Sequence, residues 1–535
     1  MLALYFKKFP TIINASVTNF FIFIAVFTLT LLLVYGAFIL KKTTDLYFLL
    51  PQSLIFSFIA RAVPNLRLSY PPLHDPYFHF VCTLNVIEYG TLKPILGWWY
   101  GGVDRQLHWP DIHLITVSLV KITGIDTMQF FRFQEPAMGI VLFLAVFLLA
   151  KTVTESNSVA LLAGLFASLN DILIFFQSEY HPEGISFVYF VLLLYTFIKS
   201  RQVIDVRYRC ISLFIAMVFA LSHYFTPFFL SIVFSSYVAV TLITKFLSNF
   251  SVIRDKYRNI FENVISDHVY FLIVILFSLF YHLFVFSGAF YDFLYMASRP
   301  VVPASLVSIG QNSVPLFTSI LSLSKWGLFI LAIISIMLIF KTKNTNEFRL
   351  GVLVVCIMSG GVIGNYVVSS PLNRLIAYYV PFAAIFASLT LNRYIDGRFG
   401  GVHKNRKVIV SILIASILMT AGFFNSQTPA YFFKDTKIDT FYWYSNRLPS
   451  MNEYKSAGEW IGAFSGKNPS YRFEFDTRII PFYYGKQSDS SLIYRPATHS
   501  LNYIMINPKI PYKDKMFISS NLNLIYNNNE LDVYL

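Results

Sequence analysis

A dozen or so stretches of this chain are apolar over close to the length that crosses about 30 Å of hydrocarbon. They lie near residues 17–40, 45–61, 136–151, 157–176, 184–199, 210–223, 226–246, 268–287, 326–341, 349–368, 374–391 and 407–424. Several of them are shorter than a full crossing. Hydrophobic residues make up 56% of the chain and charged residues only 13%, too little polar surface to cover a water-soluble core. The bilayer is therefore the main solvent, and the expected fold is an α-helical polytopic membrane protein with about 11–13 transmembrane helices. A formal charge of +14 would point to nucleic acid in a soluble protein. In a membrane protein Lys and Arg collect in cytoplasmic loops, which sets a nucleic-acid partner aside.

The loops alternate in charge. Segments 41–44, 151–156, 199–210, 245–268, 341–349 and 392–407 hold roughly 19 Lys and Arg in about 70 residues, whereas 177–183 and 369–373 hold none. The first set is read as cytoplasmic. By alternation 62–135, 177–183, 288–325 and the tail from about 425 lie on the external face of the cell membrane. Lys7 and Lys8 precede a run of about 24 residues, longer than a signal-peptide core, so that run reads as a retained span. Twelve spans would put those lysines outside, against the basic-loop rule, which is met if either 17–40 or 45–61 stops short of a full crossing. Cys82, Cys210 and Cys356 show no metal-ligand spacing and read as small core residues.

External segment 62–135 is broken by Pro71-Pro72, Gly101-Gly102 and Pro110 between amphipathic stretches near 77–90 and 111–123, which suit the membrane surface. Loop 288–325 carries Pro300, Pro303 and Pro315 and reads as a lid or re-entrant segment. From about 425 the composition turns polar and the apolar runs shorten to strand length, as in Tyr471-Arg-Phe-Glu-Phe475. Asn452–Phe464 reads as a short helix and Asn523–Tyr534 as a terminal hairpin. The expected division is thus a transmembrane domain, 1–424, and a small extracytoplasmic α/β domain, 425–535.

Three external segments gather ionisable groups. In Leu73-His-Asp-Pro-Tyr-Phe-His-Phe80, Pro76 makes Asp75 a helix N-cap at the membrane surface, with His79 four residues on. That cap is the plain explanation of Asp75; its company favours a site. Asp104-Arg-Gln-Leu-His-Trp-Pro-Asp-Ile-His113 brings His108, Asp111 and His113 together among Trp98, Trp99, Tyr100 and Trp109. This is either a solvated loop or a polar site beside aromatic surface that holds sugar rings or lipid headgroups. Gln177-Ser-Glu-Tyr-His-Pro-Glu183 sets Glu179, His181 and Glu183 between two closely spaced spans, where charges are expensive unless paired, hydrated or cation-bound. His223, Asp292 and Arg299 also fall at external helix ends or loops. Arg374, ahead of an apolar span, suits a phosphate held bidentately, or equally an interfacial anchor.

Acids, histidines and arginines at a membrane surface fit transfer of a group from a lipid-linked phosphate. A carboxylate can take the acceptor's proton, or carboxylates can hold a divalent cation, Mg or Mn, while Arg stabilises the departing phosphate. No other cofactor is suggested, and no nucleotide-binding, zinc-protease or paired-cysteine motif competes.

These segments resemble the GT-C superfamily of lipid-phosphate-dependent glycosyltransferases, among them archaeal oligosaccharyltransferase catalytic subunits and dolichyl-phosphate-sugar-dependent protein glycosyltransferases. A span ending in Arg61, then His74-Asp-Pro-Tyr-Phe-His79 and Ile87-Glu-Tyr-Gly-Thr91, looks like the superfamily's first external loop. His108-Trp-Pro-Asp-Ile-His-Leu114, Lys121-Ile-Thr-Gly124, the Arg132 turn and the spans divided at Lys151-Thr-Val-Thr-Glu-Ser156 are similar to the region that follows it. The turn Ser178–Glu183 falls where oligosaccharyltransferases carry a second acidic motif. The resemblance covers roughly residues 45–200 well and the Arg374 span and tail loosely. It implies GT-C-like external loops, Asp75 as base or metal ligand, Glu179 and Glu183 as further catalytic carboxylates or metal ligands, and His113 at acceptor or phosphate. It also implies Arg374 at the donor phosphate, with His79, His108, Asp111 and His181 as further substrate contacts. The implied partners are a polyprenyl-phosphate-linked sugar, membrane lipid and an extracytoplasmic protein, lipid or glycan acceptor. The tail has Phe441-Tyr-Trp-Tyr444 in place of the Trp-Trp-Asp-Tyr-Gly sequon-reading motif, which argues against sequon glycosylation.

Two rival readings make different demands. A transporter or flippase of a lipid-linked or polar solute needs ionisable residues at mid-membrane, paired broken helices and an internal repeat. A non-catalytic scaffold needs none of the loop clusters.

Overall fold

The computed structural model describes residues 22–39, 43–67, 111–178, 180–203, 205–223, 327–338, 372–395, 404–426, four short strands beyond 470 and scattered positions between them. The described helices are α1 (Ile22–Ile39), α2 (Thr43–Arg67), α3 (Asp111–Thr123), α4 (Thr127–Thr154), α5 (Asn157–Ser168) and α6 (Asp171–Ser178). They continue as α7 (Pro182–Val203), α8 (Val206–Ser222), α9 (Gly327–Leu338), α10 (Leu372–Ile395) and α11 (Lys404–Ser426).

Among the described residues, five helices are long and apolar enough to cross a membrane: α1, α2, α4, α7 and α11. The bent pair α5 and α6 would make a sixth. The protein is an integral membrane protein. Expected spans over 226–246, 268–287 and 349–368 lie largely outside the described residues. The expected single span at 157–176 is instead two helices meeting at 61°. The break has a local cause: Asn170 accepts a hydrogen bond from the Ile172 amide at 3.1 Å, which caps α6 and competes with continuation of α5.

Other boundaries follow from local chemistry. The Gly124 amide donates to the Val120 carbonyl at 2.9 Å with φ of +67°, a left-handed stop to α3 that glycine adopts without strain. Glu155 plays the same part after α4 at φ 58°, and Ser156 then caps α5 by accepting from the Val159 amide. Asp205 caps α8 by accepting from the Arg207 amide at 2.9 Å.

The chain divides into two compact units. One comprises Met1–Val63, Glu135–Ser178 and Pro182–Thr436; the other comprises Pro64–Gln134, Glu179–His181 and Lys437–Leu535. In the first, α10 packs on α5 and α7 on α8, and the core closes on Tyr378. The Tyr378 ring stacks on Phe229 at 4.4 Å and meets Phe187 edge-on at 4.8 Å. α7 is the central helix, with 78% of its span buried, against 28% for the peripheral α1. Tyr47, Phe48, Phe214 and Ile409 stay exposed, as side chains facing lipid do.

The second unit contains the four strands, β1 (Tyr471–Phe473), β2 (Tyr503–Ile506), β3 (Leu524–Asn527) and β4 (Asp532–Tyr534), in the order β1-β2-β4-β3. β1 and β2 run parallel; β4 is antiparallel to both β2 and β3, with a register shift between Leu524 and Tyr526. The helix expected over 452–464 lies outside the described residues.

Candidate active site

In the second unit the polar residues are organised by α3. Its first turn places His113, fully buried, against His79, with Nε2 3.4 Å from His79 Nδ1. The other ring nitrogen of His113 lies 3.0 Å from Thr83 Oγ1, and Thr83 Oγ1 donates to the His79 carbonyl at 2.9 Å. His79 and Thr83 are helical and four residues apart, so both face α3. Burial pushes the His113 ring down to about 3, so it is neutral across the physiological range.

One turn along α3, Thr116 Oγ1 meets Gln134 Oε1 at 2.6 Å and Tyr180 Oη at 2.5 Å. Tyr180 also donates to the Ile112 carbonyl at 3.1 Å, and its ring stacks on Phe131 at 3.5 Å. Tyr180 is thus locked at hydroxyl and ring face. This fixes the turn from which His181 approaches His79, their ring centroids 6.5 Å apart.

The first unit holds a separate buried network. Arg61 on α2 is wholly buried. Its Nε donates to Gln177 Oε1 at 2.8 Å, and Nη1 donates to the carbonyls of Ser57 at 3.1 Å and Ser168 at 2.9 Å. Ser168 is the last residue of α5, so the guanidinium sits at the negative end of a helix dipole, beside the 61° bend. Gln177 passes the network on by donating to the Gly184 carbonyl at 3.1 Å. The Glu135 carboxylate packs so tightly on Gly184 that a methyl group there would overlap it. Next to Gly184, Glu183 pairs with His223 at 3.2 Å, both buried.

Of the residues singled out from sequence, His79, His113 and His181 come together in the second unit. Glu183 lies in the first, with His223. Asp111 opens α3 and is half-buried. Arg374 stands in the first turn of α10. Asp75, His108 and Glu179 lie outside the described residues. Among the described residues no group of three or more His, Cys, Asp or Glu is placed to hold a metal ion.

Sequence reasoning missed Glu135, Gln134, Gln177, Thr83, Thr116 and Tyr180. Gln134 and Glu135 did leave a signal, two polar residues before Pro136 at the edge of an apolar run. The threonines left none, because Thr is common on any helix.

No family model matches the chain, and no curated protein does. Among solved structures it is similar to ArnT from Cupriavidus metallidurans in the apo state, with a TM-score of 0.53 at 11% identity. The same protein bound to undecaprenyl phosphate matches with a TM-score of 0.52, and both alignments cover 92% of this chain and 98% of that one. An oligosaccharyltransferase of Archaeoglobus fulgidus, tethered to an acceptor peptide, is also similar, at TM-score 0.46 and 13% identity over 82% of this chain and 63% of that one. At this identity the likeness is one of fold: the chain shares the overall fold of ArnT. The likeness extends over nearly the whole of ArnT.

Proposed function

We propose that the protein is a membrane glycosyltransferase that moves a sugar from a polyprenyl (dolichyl) phosphate carrier to an extracytoplasmic protein, lipid or glycan. The observation that carries this reading is the near full-length fold match to a protein whose structure holds undecaprenyl phosphate. The polar cluster on the 64–134 segment supports it, since that segment carries Asp75, His79, His108, Asp111 and His113.

In this reading Asp75, Glu179 and Glu183 are the catalytic carboxylates, and a divalent cation on them would neutralise the departing phosphate. Arg374 holds the donor phosphate, and His79, His108, Asp111 and His181 line the sugar and acceptor. His113, with both ring nitrogens engaged inside the protein, orients its neighbours. Residues 425–535 form an extracytoplasmic α/β domain. A transporter calls for paired broken helices, and among the described residues there is a single bent pair.

The test is reconstitution of the full chain in liposomes with a radiolabelled polyprenyl-phosphate sugar and mixed acceptors. The native protein should release polyprenyl phosphate and label an acceptor. Asp75→Ala should lose at least ~100-fold in rate while melting normally. Full activity in Asp75→Ala, or no transfer by well-folded native protein, would overturn the reading.

A further inference from the structure

Where α10 ends and α11 begins, buried cations outnumber buried anions. Arg393, in the last turn of α10, is 5% exposed, and its Nη2 donates to the Glu347 carboxylate, itself buried. Its Nη1 is buried with no hydrogen-bond partner. Lys407 is 3% exposed and lies two residues inside the apolar span Asn405–Phe424. Among the described residues no carboxylate pairs with it; its ammonium stands 5.6 Å from the centre of the Tyr394 ring, at the end of α10. An ordinary basic loop residue keeps its charge in water, whereas a charge inside a span is expensive until an anion meets it. The start of α11 adds to the imbalance. It opens Lys404-Asn-Arg-Lys407 with no acid in its first turn, so cations stand at the positive end of the helix dipole, where the first amides favour an anion. Across 392–407 the sequence sets Arg393, Arg398, Lys404, Arg406 and Lys407 against Asp396 alone.

We infer that this end of the bundle binds an anionic phospholipid, its phosphate held by Lys407, Arg406 and the first amides of α11. Arg406 is exposed beside Lys407. Val410, Leu413 and Ile417 follow Arg406 at steps of four, three and four residues, so they continue its edge of the helix, and all three are exposed. A headgroup on Arg406 and Lys407 therefore lays an acyl chain along that edge. With Arg393 paired to Glu347, the single negative charge of the lipid balances Lys407. The depth of Lys407 favours lipid over soluble phosphate: a lipid carries its phosphate at the edge of the hydrocarbon, while a free ion would have to leave water to reach it. On the basic-loop reading this end faces the cytoplasm, opposite the external carboxylates, and the site serves neither donor nor acceptor. It stands independently of the glycosyl-transfer reading.

Two measurements on the full chain test the site. In native mass spectrometry with phosphatidylglycerol and phosphatidylcholine in competition, the native protein should hold phosphatidylglycerol at least ~10-fold more tightly. Lys407→Met and Arg406→Gln should each weaken that binding about tenfold. Arg209→Gln, at an exposed arginine of another basic segment, should leave it unchanged. Equal weakening by Arg209→Gln would mean diffuse attraction to a basic surface and would overturn the site. In thermal unfolding in detergent, phosphatidylglycerol should raise the midpoint of the native protein and leave that of Lys407→Met unmoved. A native midpoint that does not move, or that moves equally in Lys407→Met, overturns the assignment. An equal rise from inorganic phosphate overturns the lipid as its source. Arg406→Gln, at the surface, carries both measurements if Lys407→Met does not fold. Transfer activity enters neither.

Discussion

Arg61 shows how much a single side chain can govern here. Its guanidinium bonds to α5, to α6 and to its own helix, all at full burial. Arg61→Leu would leave Gln177 and the Ser168 carbonyl buried without their donor, at a cost of about 3–5 kcal/mol, seen as a lower melting temperature in detergent. Arg61→Lys should recover only part of this, since a point ammonium cannot reproduce the fork. His113 makes a different prediction. Its folded pKa, about 3, lies below the ordinary 6.5, so the unfolded state binds more protons between those values. The stability contributed by neutral His113 is complete above about pH 6.5 and is lost as pH falls toward 3, with a slope of up to ~1.4 kcal/mol per pH unit. A pH series of thermal midpoints should show that slope in the native protein and a shallower one in His113→Phe.

At the scale of elements, the bend between α5 and α6 is fixed from three sides: by the Asn170 cap, by Arg61, and by α11, whose Gly422 lies against the Leu169 carbonyl. Asn170→Ala should cost about 1 kcal/mol through loss of the cap. Gly422→Ala, whose methyl would meet backbone rather than a yielding side chain, should cost about 1–3 kcal/mol. Equilibrium unfolding of the two variants in mild detergent measures both. The bend was not read from the sequence, although Ser168, Asn170 and Asp171 interrupt the apolar run 157–176 at the place where a new helix is capped. The helix over 111–123 was legible from its amphipathic pattern, whereas the approach of His79 to His113, thirty-four residues apart, was not. Glu183 was singled out, but its pairing with His223 was not, since forty residues and two helices separate them. Positions such as Thr83 and Tyr180 become meaningful only once tertiary structure supplies their partners.

The whole molecule is a membrane protein that shares the fold of ArnT, and its orientation is open to a direct test. Cys210 is exposed near the start of α8, beside a loop read as cytoplasmic from its lysines and arginines. With Cys82→Ser and Cys356→Ser in place, a membrane-impermeant maleimide should label Cys210 only from the cytoplasmic side, whereas Asn529→Cys in the tail should react from outside. The reverse pattern would invert the topology. The buried guanidinium also bears on how the chain is made. The acceptors of Arg61 on Ser168 and Gln177 lie 107 and 116 residues further along. For all the time that separates their synthesis, α2 exists without the groups that make its charge tolerable inside the bundle, and Arg61, two residues from the end of the span Asp45–Val63, must snorkel toward the interface rather than pack. Helix α2 is therefore expected to linger at the insertion machinery until α6 emerges, so that assembly of the bundle waits on a residue in its core.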